Sequence, residues 1–67
     1  MKTFDLKLFS EEIINARGNK TLSEISKSTG VKITALHRYE KQTQEPKIQN
    51  VVAICEWLGK KVDYFVK

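Results

Sequence analysis

Few side chains of this chain could take part in chemistry, and most of them are cationic. The 67 residues include one histidine and one cysteine, with no carboxylate cluster and no glycine-rich phosphate loop, so the sequence predicts no enzyme. The formal net charge is +4, and residues 17–47 hold the whole excess, because the rest of the chain has five basic and five acidic residues. The basic residues of this segment are Arg17, Lys20, Lys27, Lys32, Arg38, Lys41 and Lys47, and the acidic ones are Glu24, Glu40 and Glu45. A positive charge concentrated in this way favours binding of phosphate groups.

The composition also limits the other kinds of site. A single cysteine excludes an intramolecular disulfide and a cysteine-based zinc cluster, and we expect no metal and no cofactor. We interpret Cys55 as a small buried hydrophobic residue rather than a nucleophile. The N-terminal segment MKTFDLKLFSEE is too polar for a signal sequence, and no apolar run approaches the ~20 residues that span a bilayer. We therefore expect a cytoplasmic protein without a membrane partner.

The basic segment contains the pattern of two short helices joined by a tight turn. Thr21 and Glu24 have the spacing of a capping box, in which each side chain bonds a free amide at a helix start. Gly30 follows as the residue that adopts a left-handed backbone most easily and so ends the helix. Leu36 and Tyr39 then form the inner stripe of a second helix. This spacing is that of a helix-turn-helix.

The remaining apolar pattern predicts three more helices around the motif. We expect a single all-α domain over residues 1–67, with the helix-turn-helix at about residues 21–40. The flanking helices are predicted at Asp5–Arg17, at about Lys47–Leu58 and at Val62–Val66. The inner face of the first comprises Leu6, Phe9, Ile13 and Ala16, and that of the fourth comprises Ile48, Val51, Val52, Cys55 and Leu58.

Over residues 20–66 the chain resembles the Cro/CI-type (XRE-like) helix-turn-helix regulators of phages and bacteria. The similarity rests on the T-x-x-E-I-S start, the Gly30-Val31 turn, the L-x-R-Y-E run, the E-P after the loop and the I-C-x-x-L-G end of the fourth helix. It implies a compact five-helix, lambda-repressor-like domain that acts as a transcriptional regulator by occupying a double-stranded DNA operator. An antitoxin of a toxin–antitoxin pair and a protein-interaction module that retains the fold are the alternatives.

The sequence departs from this family at four positions. The family usually has a polar, phosphate-binding residue where Leu22 stands, and glycine where Gln42 stands. It usually has Ser or Thr at the positions of Lys32 and Lys47, where they cap helices. Each missing cap costs on the order of 1 kcal/mol, and a lysine puts positive charge at the unfavourable end of the helix dipole.

The resemblance makes the second helix of the motif the recognition helix, whose outward residues meet base edges in the major groove. The candidate base-reading residues are Lys32, Ile33, Thr34, His37 and Arg38. Arg38 can make a bidentate contact to guanine, and Ile33 can pack on a thymine methyl group. Three alternatives remain open: a pair between Arg38 and a glutamate, contact of Ile33 with a neighbouring loop, and a merely solvated His37.

A second set of residues is expected to contact the DNA phosphates, which positions the protein without reading sequence. It comprises Lys20 and Thr21 at the start of a helix, Lys27, and the loop residues Lys41, Gln42, Thr43 and Gln44. The aromatic residues Trp57 and Tyr64 are either the edge of the core or, together with Phe65, the seam of a dimer. On the second interpretation, a weak or DNA-induced homodimer would bind a palindromic operator.

Overall fold

The computed structural model describes residues 3–67, which form four α-helices and one short 3₁₀ helix. The α-helices are α1 (Leu6–Arg17), α2 (Leu22–Thr29), α3 (Ile33–Glu40) and α4 (Ile48–Leu58), and the 3₁₀ helix is Val62–Phe65. The all-α class is therefore confirmed, but the predicted fifth α-helix is a 3₁₀ turn of four residues. It ends early because Val66 is extended and pairs with Phe4 in an isolated antiparallel bridge. Of the predicted domain, Met1 and Lys2 lie outside the described residues.

The two ends of the described chain are bonded to each other. The backbone amides of Thr3 and Lys67 each donate to the other residue's carbonyl, at 2.7 and 2.8 Å. Asp5 caps α1, since its carboxylate accepts from the amide of Leu8 at 3.0 Å, and it also pairs with the Lys67 ammonium at 2.8 Å. The Lys67 ammonium and the Leu8 amide hold the pKa of Asp5 below its usual value. The first helix therefore begins one residue later than predicted, with Asp5 as its cap.

The turn between α2 and α3 has the geometry that the sequence predicts. The Thr21 hydroxyl accepts from the amide of Glu24 at 3.2 Å, which is one half of the predicted capping box. Gly30 has a left-handed backbone, with φ of 78°, and its amide donates to the Ser26 carbonyl at 2.7 Å. Lys32 is the residue before α3, at the N-cap position, and its side chain makes no capping bond, as expected of a lysine. The chain therefore turns sharply and places α3 across α2.

The core lies between α1 and the four later elements. Its buried apolar residues are Phe9, Ile13, Ile25, Val31, Leu36, Tyr39, Val51, Ile54, Cys55 and Phe65. Leu36 and Tyr39 form the inner face of α3, as predicted. Three assignments to inner faces were wrong, because Ala16 and Val52 are exposed and 65% of the Ile48 side chain is accessible. Ile48 is the first residue of α4, so it extends beyond the part of the helix that the core covers.

An ion pair fastens α1 to the end of α3. The Arg17 guanidinium donates to both carboxylate oxygens of Glu40, at 2.8 and 3.2 Å, and to the Lys20 carbonyl at 3.2 Å. The Glu40 side chain is only 11% exposed. The buried Ser10 hydroxyl donates to the Glu40 carbonyl at 2.8 Å, so α1 holds this residue at two points. Arg17 therefore serves the fold, and its charge is neutralised within the basic segment.

Candidate nucleic-acid interface

The five candidate base-reading residues all lie on the solvent side of the α3 region. Lys32, Thr34, His37 and Arg38 are exposed, and the apolar Ile33 is 47% exposed in the first turn of the helix. The opposite face of the helix is buried in the core through Leu36 and Tyr39. Because these inner residues are i and i+3, they fix the rotation of α3 about its axis. One face of α3 is thus free for a ligand while the other holds the helix in place.

Arg38 bonds a neutral side chain rather than the glutamate that the sequence left as an alternative. Its Nη1 donates to the Gln44 Oε1 at 3.1 Å, and both side chains are exposed. The only arginine–glutamate pair among the described residues is that of Arg17 with Glu40. A neutral acceptor does not cancel the charge of the guanidinium, and most of its five N–H donors remain unused. Arg38 therefore keeps the charge and the donors that a contact with guanine needs.

The loop after α3 folds back onto Arg38. Gln42 has a left-handed backbone, with φ of 59°, at the position where the resemblance led us to expect glycine. Its amide donates to the Tyr39 carbonyl at 3.2 Å, and the Thr43 amide donates to the Arg38 carbonyl at 3.1 Å. These two bonds form a Schellman motif. The motif directs Gln44 toward the guanidinium of Arg38, although a left-handed glutamine costs about 1–2 kcal/mol.

Two of the four loop residues expected to contact phosphate have side chains that bond Arg38 of α3. The Thr43 hydroxyl donates to the Arg38 carbonyl at 3.3 Å, and Gln44 accepts from the Arg38 side chain. Lys41 and Gln42 are exposed. The side chains of this loop therefore divide into a pair that contacts Arg38 and a pair that faces solvent.

The outer face of α3 borders a polar cleft of about 410 Å³. The cleft separates α3 from the start of α4, and its lining is Gly30, Lys32, Thr34, Ala35, Arg38, Tyr39, Gln44, Lys47, Gln49 and Asn50. Its three cations, Lys32, Arg38 and Lys47, face no carboxylate of the described chain within the lining. A concave surface whose charged side chains are all positive concentrates a positive potential. The cleft is therefore suited to an anionic ligand.

Sequence reasoning missed the contribution of α4 to this surface. Lys47, Gln49 and Asn50 line the cleft, yet the sequence indicated only that a helix begins near Lys47. Asn50 also connects the helices, because its Nδ2 donates to the hydroxyl of the buried Tyr39 at 2.7 Å. The spacing of polar residues after Pro46 was the available signal, but only the packing of α4 on α1 and α2, together with the bond from Asn50 to Tyr39, brings them near Arg38.

The candidates on α2 lie apart from the loop in sequence and are all exposed. Lys20 and Thr21 precede the helix and Lys27 lies in its last turn. The Thr21 hydroxyl accepts a bond from the Glu24 amide, so it caps the helix, and its proton can still be donated to a phosphate oxygen. Leu22, the apolar replacement in the first turn, is half-buried and packs against the core. Its side chain therefore has a packing role at this helix start.

The predicted dimer seam needs one correction. Phe65 is fully buried in the core, where its ring meets Phe9 edge to face at 5.1 Å between centroids. It cannot also present its side chain to a partner. Trp57 is half-buried and Tyr64 is 49% exposed. Burial thus separates Tyr64 from Phe65, which the predicted seam had grouped together.

The structure gives no sign of a reactive thiol or of a metal site among the described residues. Cys55 is buried on α4, and burial raises the pKa of its thiol, which disfavours the nucleophilic thiolate. In the part of the chain from residue 3 onward, no three His, Cys, Asp or Glu side chains converge as metal ligands would. Over the same residues, no helix has the length and apolar character required to cross a membrane.

Fold and site together define a helix-turn-helix domain in which the exposed face of α3 borders a cleft lined by three cations. A family model described as a helix-turn-helix matches residues 12–65. The chain belongs to the Cro/CI-type, XRE-like helix-turn-helix family of DNA-binding transcriptional regulators, which is not an enzyme family. No curated protein and no solved structure matches the sequence.

Proposed function

We propose that this protein is a sequence-specific regulator of the phage-repressor or Cro type, which acts by occupying a double-stranded DNA operator. The observation that carries the proposal is the outer face of α3, where Ile33, Thr34 and Arg38 are exposed beside a cleft with three cations. Thymine methyl groups and guanine edges are the features of the major groove that such side chains recognise. In this proposal Lys32 and His37 complete the base-reading face.

Phosphate contacts then hold α3 in the groove. Lys20, Thr21 and Lys27 on α2, together with Lys41 and Gln42 in the loop, are exposed and remain our candidates. Lys47 joins them, since it lines the cleft next to Arg38 and carries no ion pair among the described residues. Each cation that meets a phosphate releases a counterion, so affinity would fall steeply as salt rises.

Selection of bound sequences from a random duplex pool, followed by titration at two salt concentrations, tests this function. We expect one preferred sequence, a difference in affinity of at least ~10³-fold between the selected and an unrelated duplex, and a steep loss of affinity with salt for both. Equal and weak affinity for every duplex would contradict the proposal. That result would favour a protein-interaction module that retains the fold.

We further propose that two copies bind an inverted repeat. One recognition helix contacts only a few base pairs, and a two-fold axis would place two helices in half-sites about 34 Å apart. Trp57 and the exposed Tyr64 are the candidates for the contact between copies. Because this apolar surface is smaller than a stable interface requires, we expect a dimer that forms only on DNA.

Light scattering of the complex with the selected duplex measures the stoichiometry. We expect two protein chains per duplex, and one chain in the presence of Tyr64→Lys. A matched control is Phe65→Leu, which alters the core beside Tyr64 but leaves the surface unchanged. A one-to-one complex of the unaltered chain on a site without a repeat would refute the dimer and leave DNA binding intact.

A further inference from the structure

The side chain of Gln44 occupies an unusual place for a loop residue, since it contacts the recognition helix. Its Oε1 accepts from the Arg38 Nη1 at 3.1 Å. The backbone before it is fixed by the left-handed Gln42 and by the Thr43 amide and hydroxyl, which both donate to the Arg38 carbonyl. The loop therefore holds Arg38 at its backbone and at its side chain.

An acceptor at this position restricts the arginine without removing its function. A free arginine side chain carries about 2 kcal/mol of rotamer entropy, which binding must otherwise overcome. The bond to Gln44 uses one N–H, so the remaining donors can still form a bidentate contact. A charged acceptor has a different effect on an arginine. In the pair of Arg17 with Glu40, the carboxylate engages two guanidinium nitrogens and neutralises the charge.

We propose that Gln44 is a positioning residue, which orients the guanidinium of Arg38 for base reading and does not itself bind phosphate. This inference rests on the proposed function, since it concerns how the recognition helix selects its base. Gln44 acts by preorganisation: it lowers the conformational cost that Arg38 meets when the complex forms. Its effect therefore passes through Arg38 and is confined to the base pair that Arg38 contacts.

The test is a double-mutant cycle on the selected duplex and on one in which the base pair assigned to Arg38 is changed. Gln44→Met keeps the length of the side chain and removes the acceptor. We expect it to lower affinity for the selected duplex about 3- to 10-fold, the range for one hydrogen bond. We expect no loss on the changed duplex and no further loss when Arg38→Ala is already present. Gln44→Glu should not recover the preference, because a carboxylate would neutralise the guanidinium as Glu40 neutralises that of Arg17.

Gln49→Met is the matched control, because Gln49 lines the same cleft and makes no bond to Arg38 in the described chain. Its effect should be the same with Arg38 and with Arg38→Ala. An equal loss for Gln44→Met on all duplexes, in both backgrounds, would overturn the proposal and identify Gln44 as a phosphate contact. The unaltered protein and Arg38→Ala show which idea has failed. If the unaltered protein binds specifically and Arg38→Ala removes the preference, an equal loss for Gln44→Met rejects only the positioning role of Gln44. A protein without sequence preference would instead reject the function on which it rests.

Discussion

The two faces of α3 differ in the charge of the hydrogen-bond partner that an arginine finds there. At its inner edge, Glu40 is almost covered and accepts two bonds from Arg17 on α1. At its outer face, the exposed side chain of Arg38 bonds only the neutral Gln44 among the described residues. Both sites contain an arginine, yet one is charge-neutral and bridges two helices, whereas the other keeps its charge in solvent. The partner of an arginine, rather than its presence in a basic segment, thus separates the structural role of Arg17 from the binding role that we propose for Arg38.

The largest effect should come from the apolar part of the inner face. Leu36→Ala should lower the free energy of unfolding by about 2–5 kcal/mol, because Leu36 is fully buried and the substitution leaves a cavity. That is a large share of the stability of so small a domain. Thermal unfolding followed by circular dichroism measures it, with the outward Thr34→Ala as the control. Equal melting temperatures for the two variants would mean that the helix faces are misassigned.

The next effect tests the ion pair at the inner edge. Arg17→Ala should lower the free energy of unfolding by about 1–3 kcal/mol, because it leaves the Glu40 carboxylate covered and without its charged partner. Arg38→Ala, on the exposed face, should leave the melting temperature nearly unchanged. A similar loss of stability in both variants would remove the distinction between the two arginines.

Binding should show the reverse order. Arg38→Ala should cost about 1–3 kcal/mol on the selected duplex and relax the preference at one base pair, whereas Lys41→Ala should weaken all duplexes alike. Binding titrations on the selected and single-base-changed duplexes measure both. A selected motif that is unchanged by Arg38→Ala would show that this arginine does not contact a base.

The smallest effect concerns the loop that carries Gln44. Gln42→Gly should stabilise the fold by up to about 1 kcal/mol, because relief of the left-handed backbone slightly exceeds the greater flexibility of glycine in the unfolded chain. Gly30→Ala is the opposite change at another left-handed position, with φ of 78°, and should destabilise by about 1–2 kcal/mol. Chemical denaturation resolves both signs, and a loss of stability in Gln42→Gly would contradict the strain at this position.

Local patterns were sufficient to predict most of the fold. The cap at Thr21, the glycine at position 30 and the spacing of Leu36 and Tyr39 each act within a few residues, so the sequence determined α2, the turn and the inner face of α3. The outward residues of α3 were predicted as those that remain when the inward residues are removed. Short-range periodicity failed at the start of α4, where Ile48 projects past the core, and it did not distinguish the final 3₁₀ turn from an α-helix.

The partners of the arginines and the shape of the cleft were decided only by the tertiary structure. Arg17 and Glu40 are 23 residues apart, and the spacing along either helix gives no signal of their contact. Lys47 and Gln49 reach the surface beside Arg38 because α4 packs on α1 and α2, and Asn50 of α4 bonds Tyr39 of α3. The sequence by itself determined a helix-turn-helix with a net positive charge, since both follow from residue type and local spacing. Which of those charges remain free for a ligand depends on contacts between distant residues, and only the packed helices bring those residues together.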